Sequence, residues 1–137
     1  MTEPPETARW HTVQARVRYA DTDAQGIVYY ANYLVYMEVG RTDLFRSLGT
    51  SYREMEERGV KLVVAEAGLK YRASARYDDL LDIRVRIEEL RRRVVRFAYE
   101  IREAQTARLF VEGFTVHVSV GPDFRPADLP DWVMELQ

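Results

Sequence analysis

Cysteine is absent from the 137-residue sequence, which excludes disulfides, a thiol nucleophile and thiolate metal ligands and leaves the redox compartment open. Histidine is scarce: His11 and His117 stand far apart, in no metal-ligand spacing and no Ser-His-Asp pattern. The 7 glycines form no phosphate-binding loop, and no serine sits in a G-x-S-x-G elbow. An excess of either charge is missing too. With 20 Lys+Arg against 22 Asp+Glu the formal net charge is −2, which gives no reason to expect nucleic acid or an anionic membrane as a bulk partner. No stretch approaches ~18 uninterrupted apolar residues, and Met1 to Glu6 carries neither the basic nor the apolar region of a signal peptide. The expectation is a cytoplasmic protein without membrane insertion, resident metal or nucleic-acid partner.

What is present is a hydrophobic content of 47% beside 31% charged residues, the balance of a soluble domain with a real core. Residues 1–11 read as an N-terminal tail and 12–137 as one domain. From Thr12 to Tyr19 the apolar Val13, Ala15, Val17 and Tyr19 alternate with polar residues, as in a strand with one buried face. Asn32 reads as the N-cap of a helix running to Leu48, stopped by Gly49. The first half of this helix, Tyr33 to Met37, is apolar on nearly every side, which predicts enclosure by other elements. Gly40 in mid-helix predicts a strand passing close.

Ser51 with Glu54 suggests a capped second helix to Arg58. Thereafter Val60–Arg72, Leu80–Leu90, Val94–Glu103 and Arg108–Val120 read as strands. A strand, a long buried helix and four more strands make an α+β domain, a five-stranded antiparallel sheet wrapped around a central helix. That is the hotdog arrangement.

The segment from Tyr19 to Tyr33 concentrates the chemistry. Asp23 sits between a strand and a helix start, with Gly26 to turn the chain and Tyr29 and Tyr30 beside it. An aspartate near glycine ordinarily caps its own turn; flanked by aromatic rings at an uncovered helix end it is also suited to act as base or nucleophile. If the chain stays extended here, Tyr19, Asp21 and Asp23 share one side. The first N–H groups of the helix lack intrahelical partners and suit a carbonyl oxygen that gains negative charge. Asp21 with Asp23 is too small a ligand set for a divalent cation. Glu38 and Arg41, at i and i+3, read as an internal ion pair, with Glu38 held as a second catalytic candidate, and His117 as a sheet-surface or interface residue. Arg91, Arg92 and Arg93, with Arg96 nearby, form the dense basic cluster, read either as solvated surface or as a phosphate site.

Arg18-Tyr19, Asp21-Thr22-Asp23, Gly26-Ile27-Val28-Tyr29-Tyr30, Asn32-Tyr33, Glu38 and Arg41, with Ala75-Arg76-Tyr77-Asp78-Asp79 farther on, closely resemble the 4-hydroxybenzoyl-CoA thioesterase family of hotdog proteins. That family includes the thioesterases associated with the bacterial Tol–Pal gene cluster. The likeness runs from Val13 to about Trp132. It implies hydrolysis of an aryl- or short- to medium-chain acyl-CoA, with Asp23 as nucleophile or general base, the Tyr30 backbone N–H polarising the thioester oxygen and Tyr19 shaping the site. It implies further that Gly26, Ile27 and Val28 line the substrate, that Arg91, Arg92 and Arg93 lie near the CoA nucleotide, and that no cofactor is needed beyond the coenzyme A of the substrate. Members commonly form homodimers or homotetramers with sites at the subunit interface. Tyr30 stands where the Tol–Pal-associated members usually carry histidine, as in the hydroxybenzoyl branch, so a histidine-assisted mechanism is not expected. Hydrolysis of acyl carrier protein thioesters and non-catalytic acyl-CoA binding are the alternative readings.

Overall fold

In the computed structural model, which describes residues 10–136, most of the expected N-terminal tail lies outside the described residues. The chain runs through β1 (His11–Arg16), a 3-10 turn (Tyr19–Asp21), α1 (Asn32–Ser47), α2 (Tyr52–Glu57), β2 (Lys61–Tyr71), β3 (Leu80–Leu90), β4 (Val94–Glu103), β5 (Leu109–Val120) and a short α3 (Asp131–Met134) that the sequence pattern did not suggest. The strands form one five-stranded sheet in the order β1-β3-β4-β5-β2, every neighbouring pair antiparallel. This is the expected hotdog fold.

Alternation explains the sheet. Leu81, Ile83 and Val85 of β3 and Val95, Phe97, Tyr99 and Ile101 of β4 turn inward and are buried, because successive side chains of a strand point to opposite faces. Their polar neighbours pair on the outer face, as in Arg96 with Glu88 and Arg102 with Glu100. Helix α1 lies across the inner face through Tyr33, Tyr36, Met37, Gly40, Leu44 and Phe45. A Cβ on Gly40 would stand 2.8 Å from Ile83 Cγ2, so the strand does pass close, and glycine is what lets the helix settle on it. The Ser51 cap is present as well, its Oγ accepting from the Glu54 N–H at 3.1 Å.

Enclosure of α1 is incomplete. Leu34, Val35 and Val39 are 40%, 52% and 40% exposed, so the sheet covers one face and leaves an apolar stripe open beside β2. A single five-stranded sheet cannot close around the helix, which is why the all-round apolar pattern overpredicted burial. Edge strand β2 is also exposed over much of its length, Val63 and Val64 included, and its register shifts between Val64 and Glu66. No helix among the described residues is long and apolar enough to cross a membrane.

The sheet has two distinct ends. Val17 N–H donates to Asp79 O, Asp78 N–H to Val17 O and Val28 N–H to Ala75 O, at 2.9, 3.0 and 2.9 Å. These bonds fix the Tyr19–Tyr30 segment beside the start of β3. The Arg91–Arg93 turn lies at the other end of that strand, roughly 30 Å away at ~3.3 Å per residue.

Candidate active site

The segment between β1 and α1 is a loop pinned at several points. Thr22 and Val28 form an isolated antiparallel bridge. Inside it Asp23 N–H donates to Ile27 O and Gly26 N–H to Asp23 O, at 2.9 and 3.0 Å. Gly26 takes φ +82°, with open space where a Cβ would be, a left-handed conformation that glycine adopts without strain. Asp23 is half-buried at the tip of this turn. Its Oδ1 accepts the Gln25 N–H at 2.9 Å, so the turn-capping reading holds for one oxygen, and Oδ2 has no hydrogen-bond partner among the described residues. One side of the carboxylate is structural; the other is free.

The neighbouring Asp21 has the opposite character. It is 6% exposed; its Oδ2 accepts the Arg18 N–H at 3.0 Å and the Tyr36 hydroxyl at 2.8 Å, and its Oδ1 accepts Arg18 Nη2 at 2.8 Å. Burial pushes its carboxyl upward, but the Arg18 fork and the Tyr36 hydroxyl outweigh this and hold it below the usual carboxylate range. Tyr36 is raised in turn by burial and by that carboxylate. The Asp21 carbonyl accepts from Tyr29 N–H and from Asn32 Nδ2, both at 2.9 Å. Asp21 therefore ties the turn, the loop and the helix start together.

Two expectations need correction here. The 3-10 turn at Tyr19–Asp21 breaks the extended run, so Tyr19 and Asp21 do not share a side with Asp23: Tyr19 is 78% exposed and packs edge-on against Tyr77 at 5.6 Å, while Asp21 is buried. Asn32 is the first helical residue rather than the N-cap, which is Ala31, and the Asn32 side chain serves Asp21 O instead. Val28 belongs to the core at 2% exposure, supporting the loop from below, while Gly26 is exposed and Ile27 half-buried.

With Asn32 spent on Asp21, the helix start keeps its donors. The N–H groups of Tyr30 and Ala31 have no partner among the described residues, whereas Asn32 N–H bonds to Tyr29 O and Leu34 N–H to Ala31 O. Tyrosines hold this stretch in place: Tyr71 Oη donates to Tyr30 O at 3.1 Å, and Tyr33 Oη accepts the Ala75 N–H at 3.2 Å. Tyr29 and Tyr30 stack obliquely at 4.8 Å, and the Tyr30 hydroxyl and the charge of Asp23 raise the Tyr29 phenol. These supports, Tyr71 above all, were missed in the sequence, because Tyr71 is separated from Tyr30 by 41 positions. A free carboxylate oxygen thus shares one loop with free N–H donors at a positive helix end, the combination that activates a nucleophile and receives an oxyanion.

The sequence matches the thioesterase-like superfamily over residues 17–136, a span that contains this loop. The chain belongs to that superfamily. It is a thioester hydrolase. It is 35% identical over 123 residues to acyl-CoA thioester hydrolase YbgC of Escherichia coli O6:H1, with 89% of each chain covered. Among solved structures it is similar to protein TT1821 of Thermus thermophilus, at TM-score 0.86 and 35% identity over 93% of this chain and 94% of that one. A 4-hydroxybenzoyl CoA thioesterase complexed with 4-hydroxybenzoyl CoA gives TM-score 0.83 and 25% identity over 93% and 98% of the two chains.

The arginines and the buried histidine sit elsewhere. Arg92 and Arg93 both grip Asp128, at 2.9 and 2.8 Å, and Arg91 pairs with Glu89 at 3.2 Å. Within one chain they are at the far end of the sheet from Asp23. His117, expected at a surface or interface, is fully buried, because β5 turns Thr115, His117 and Ser119 inward. Burial, then the charge of Arg41, pushes it down to about 4. Glu38 and Arg41 do not form the expected ion pair: Glu38 is exposed, and Arg41 turns inward toward Tyr52 and Tyr99.

Proposed function

We propose that this chain hydrolyses acyl-CoA thioesters on the Asp23 loop. The observation that carries the reading is the free Asp23 Oδ2 on the same loop as the unpartnered Tyr30 and Ala31 N–H groups. These N–H groups donate to the thioester oxygen as it gains charge, at the positive end of α1. Asp23 then works in one of two ways. Its carboxylate adds to the carbonyl carbon and CoA leaves as thiolate, giving a mixed anhydride that water hydrolyses; or it takes a proton from the water that adds to that carbon, the C–S bond breaks and the proton departs with CoA as its thiol. Names among the relatives, an acyl-CoA thioester hydrolase and a 4-hydroxybenzoyl CoA thioesterase, support CoA as the thiol carrier.

The exposed β2 edge supports a dimer, since an unpaired edge with apolar side chains seeks a partner strand. β2 runs from Lys61, near the arginine turn, to Tyr71, beside Tyr30. A two-fold pairing of β2 edges therefore brings the arginine turn of the partner subunit toward the Asp23 end. That places a phosphate-binding cluster on the side of the site where one chain lacks it, with Asp128 as the anion that phosphate must displace.

The test is release of free CoA, read with a thiol-reactive dye, from benzoyl-, phenylacetyl-, short- and long-chain acyl-CoAs. Asp23→Asn should lower kcat by roughly 10²- to 10⁴-fold, the range of a positioned general base, with fold and assembly retained. Equal turnover in the variant removes Asp23 from this role. Asp128→Asn should lower KM for CoA esters while leaving KM for pantetheine esters, which lack the nucleotide, unmoved.

A further inference from the structure

A cavity of about 220 Å³ lies between the open stripe of α1 and strand β2. Leu34, Val35 and Val64 form its walls, Glu38 stands at its solvent side, and Arg41 and Thr115 reach it from the interior. Thr115 is 2% exposed and joins two further buried groups, meeting Tyr99 Oη at 2.6 Å and His117 Nε2 at 2.9 Å through its Oγ1. Around this floor Arg41 Nε, Tyr52 Oη and His117 Nδ1 are buried without a hydrogen-bond partner. Arg41 makes no ion pair among the described residues. A largely enclosed guanidinium with no carboxylate partner is costly, and it has donors only, so what satisfies it must be an acceptor.

Apolar walls ending on a cation without a carboxylate partner and a hydroxyl describe a pocket for an amphipathic ligand. The pocket follows the helix that begins at the proposed thioester site. At 1.5 Å per residue, Arg41 lies about 15 Å along α1 from the free N–H groups. Allowing for the inward reach of its side chain, a chain of roughly eight to ten carbons, with C–C bonds of ~1.5 Å, connects the two.

We infer that the acyl group of the substrate carries a hydrogen-bond-accepting oxygen at its far end, received by Arg41 and Thr115 in this cavity. The inference rests on the thioesterase reading of the Asp23 loop and adds the chemistry of the acyl tail. Glu38, at the solvent side, bears on which oxygen suits the site: it opposes a carboxylate passing it and accepts from a hydroxyl.

Three CoA esters of equal chain length test this: decanoyl, 10-hydroxydecanoyl and sebacoyl, the last ending in a carboxylate. The expected result is a kcat/KM at least tenfold higher for one oxygenated ester than for decanoyl. A lead for sebacoyl assigns the floor to a carboxylate, and a lead for 10-hydroxydecanoyl assigns it to a hydroxyl. In Arg41→Met that ratio falls toward one, and Arg41→Lys restores part of it. Thr115→Val removes the hydroxyl at nearly constant volume and lowers the ratio by a smaller factor, which keeps the test open if Arg41→Met does not fold. Decanoyl-CoA turned over as well as both oxygenated esters, or a ratio unmoved in Arg41→Met and Thr115→Val, overturns the inference and leaves the thioesterase reading standing. So does turnover confined to aryl- or short-chain esters. Absence of CoA release from every ester overturns both.

Discussion

Asp21 and Arg41 are both charged side chains drawn inside the fold beside α1, yet they end in opposite conditions. Each oxygen of Asp21 has a partner, from Arg18, from Tyr36 or from the Arg18 backbone. Arg41 has no acid partner, and Arg41 Nε, like Tyr52 Oη and His117 Nδ1 beside it, makes no hydrogen bond. The difference separates scaffold from receptor. A closed polar network fixes geometry, because every member would lose a bond by moving; an open one keeps donors for something that arrives later. Tyr52 shows what the open network costs, its hydroxyl pushed up to about 12 by burial against the pull of the Arg41 charge.

The largest effect on this contrast comes from opening the closed network. In Asp21→Ala the Arg18 guanidinium returns to water, being exposed, but the Tyr36 hydroxyl and the Arg18 N–H are orphaned. Unfolding in urea should show a loss of about 2 to 3 kcal/mol, with CoA release collapsing alongside, since the loop that holds Asp23 loses its anchor. Stability close to wild type would place the anchoring elsewhere, in the Ala75–Asp79 contacts.

The open network predicts a pH effect instead. Folded His117 titrates at about 4 against 6.5 unfolded, so between these values the unfolded chain binds more protons. Its contribution is fully present above 6.5 and is lost as pH falls toward 4, at no more than about 1.4 kcal/mol per pH unit. Stability read from urea melts should fall with pH across this window for wild type, and fall less for His117→Gln. Identical slopes would mean that His117 opens to water before it titrates.

The smallest change sharpens the comparison most. Tyr36→Phe removes one donor from Asp21 Oδ2 while Arg18 keeps its bonds, so about 1 kcal/mol should be lost. Activity should fall through kcat with KM held. A change confined to KM would argue that Tyr36 touches substrate rather than positioning the loop.

Much of the fold was legible because its signals are local. β3 and β4 keep the bounds that alternation predicts, Gly40 marks the strand crossing, and Ser51 caps its helix. The site was legible in part. The turn around Gly26 and the free donors at the helix start follow from residue types, whereas the 3-10 turn that turns Tyr19 away from Asp23 does not, since alternation and a short turn give the same local pattern. His117 was misread for a related reason: a histidine in a strand carries no mark of which face it will take until the register of β5 against β4 is set.

By itself, then, the sequence determined the element order, the buried faces of the central strands and the concentration of acid, glycine and helix start at Asp23, because each depends on neighbours within a few residues. Only the tertiary structure decided that Asp21 is anchor while Asp23 keeps a free oxygen, that Tyr71 steadies Tyr30, that the arginine turn lies at the opposite end of the sheet, and that Arg41 enters the interior without a carboxylate partner. Those facts depend on which distant segments meet. They follow from strand order and register, which place residues tens of positions apart within hydrogen-bond reach or at opposite ends of one strand.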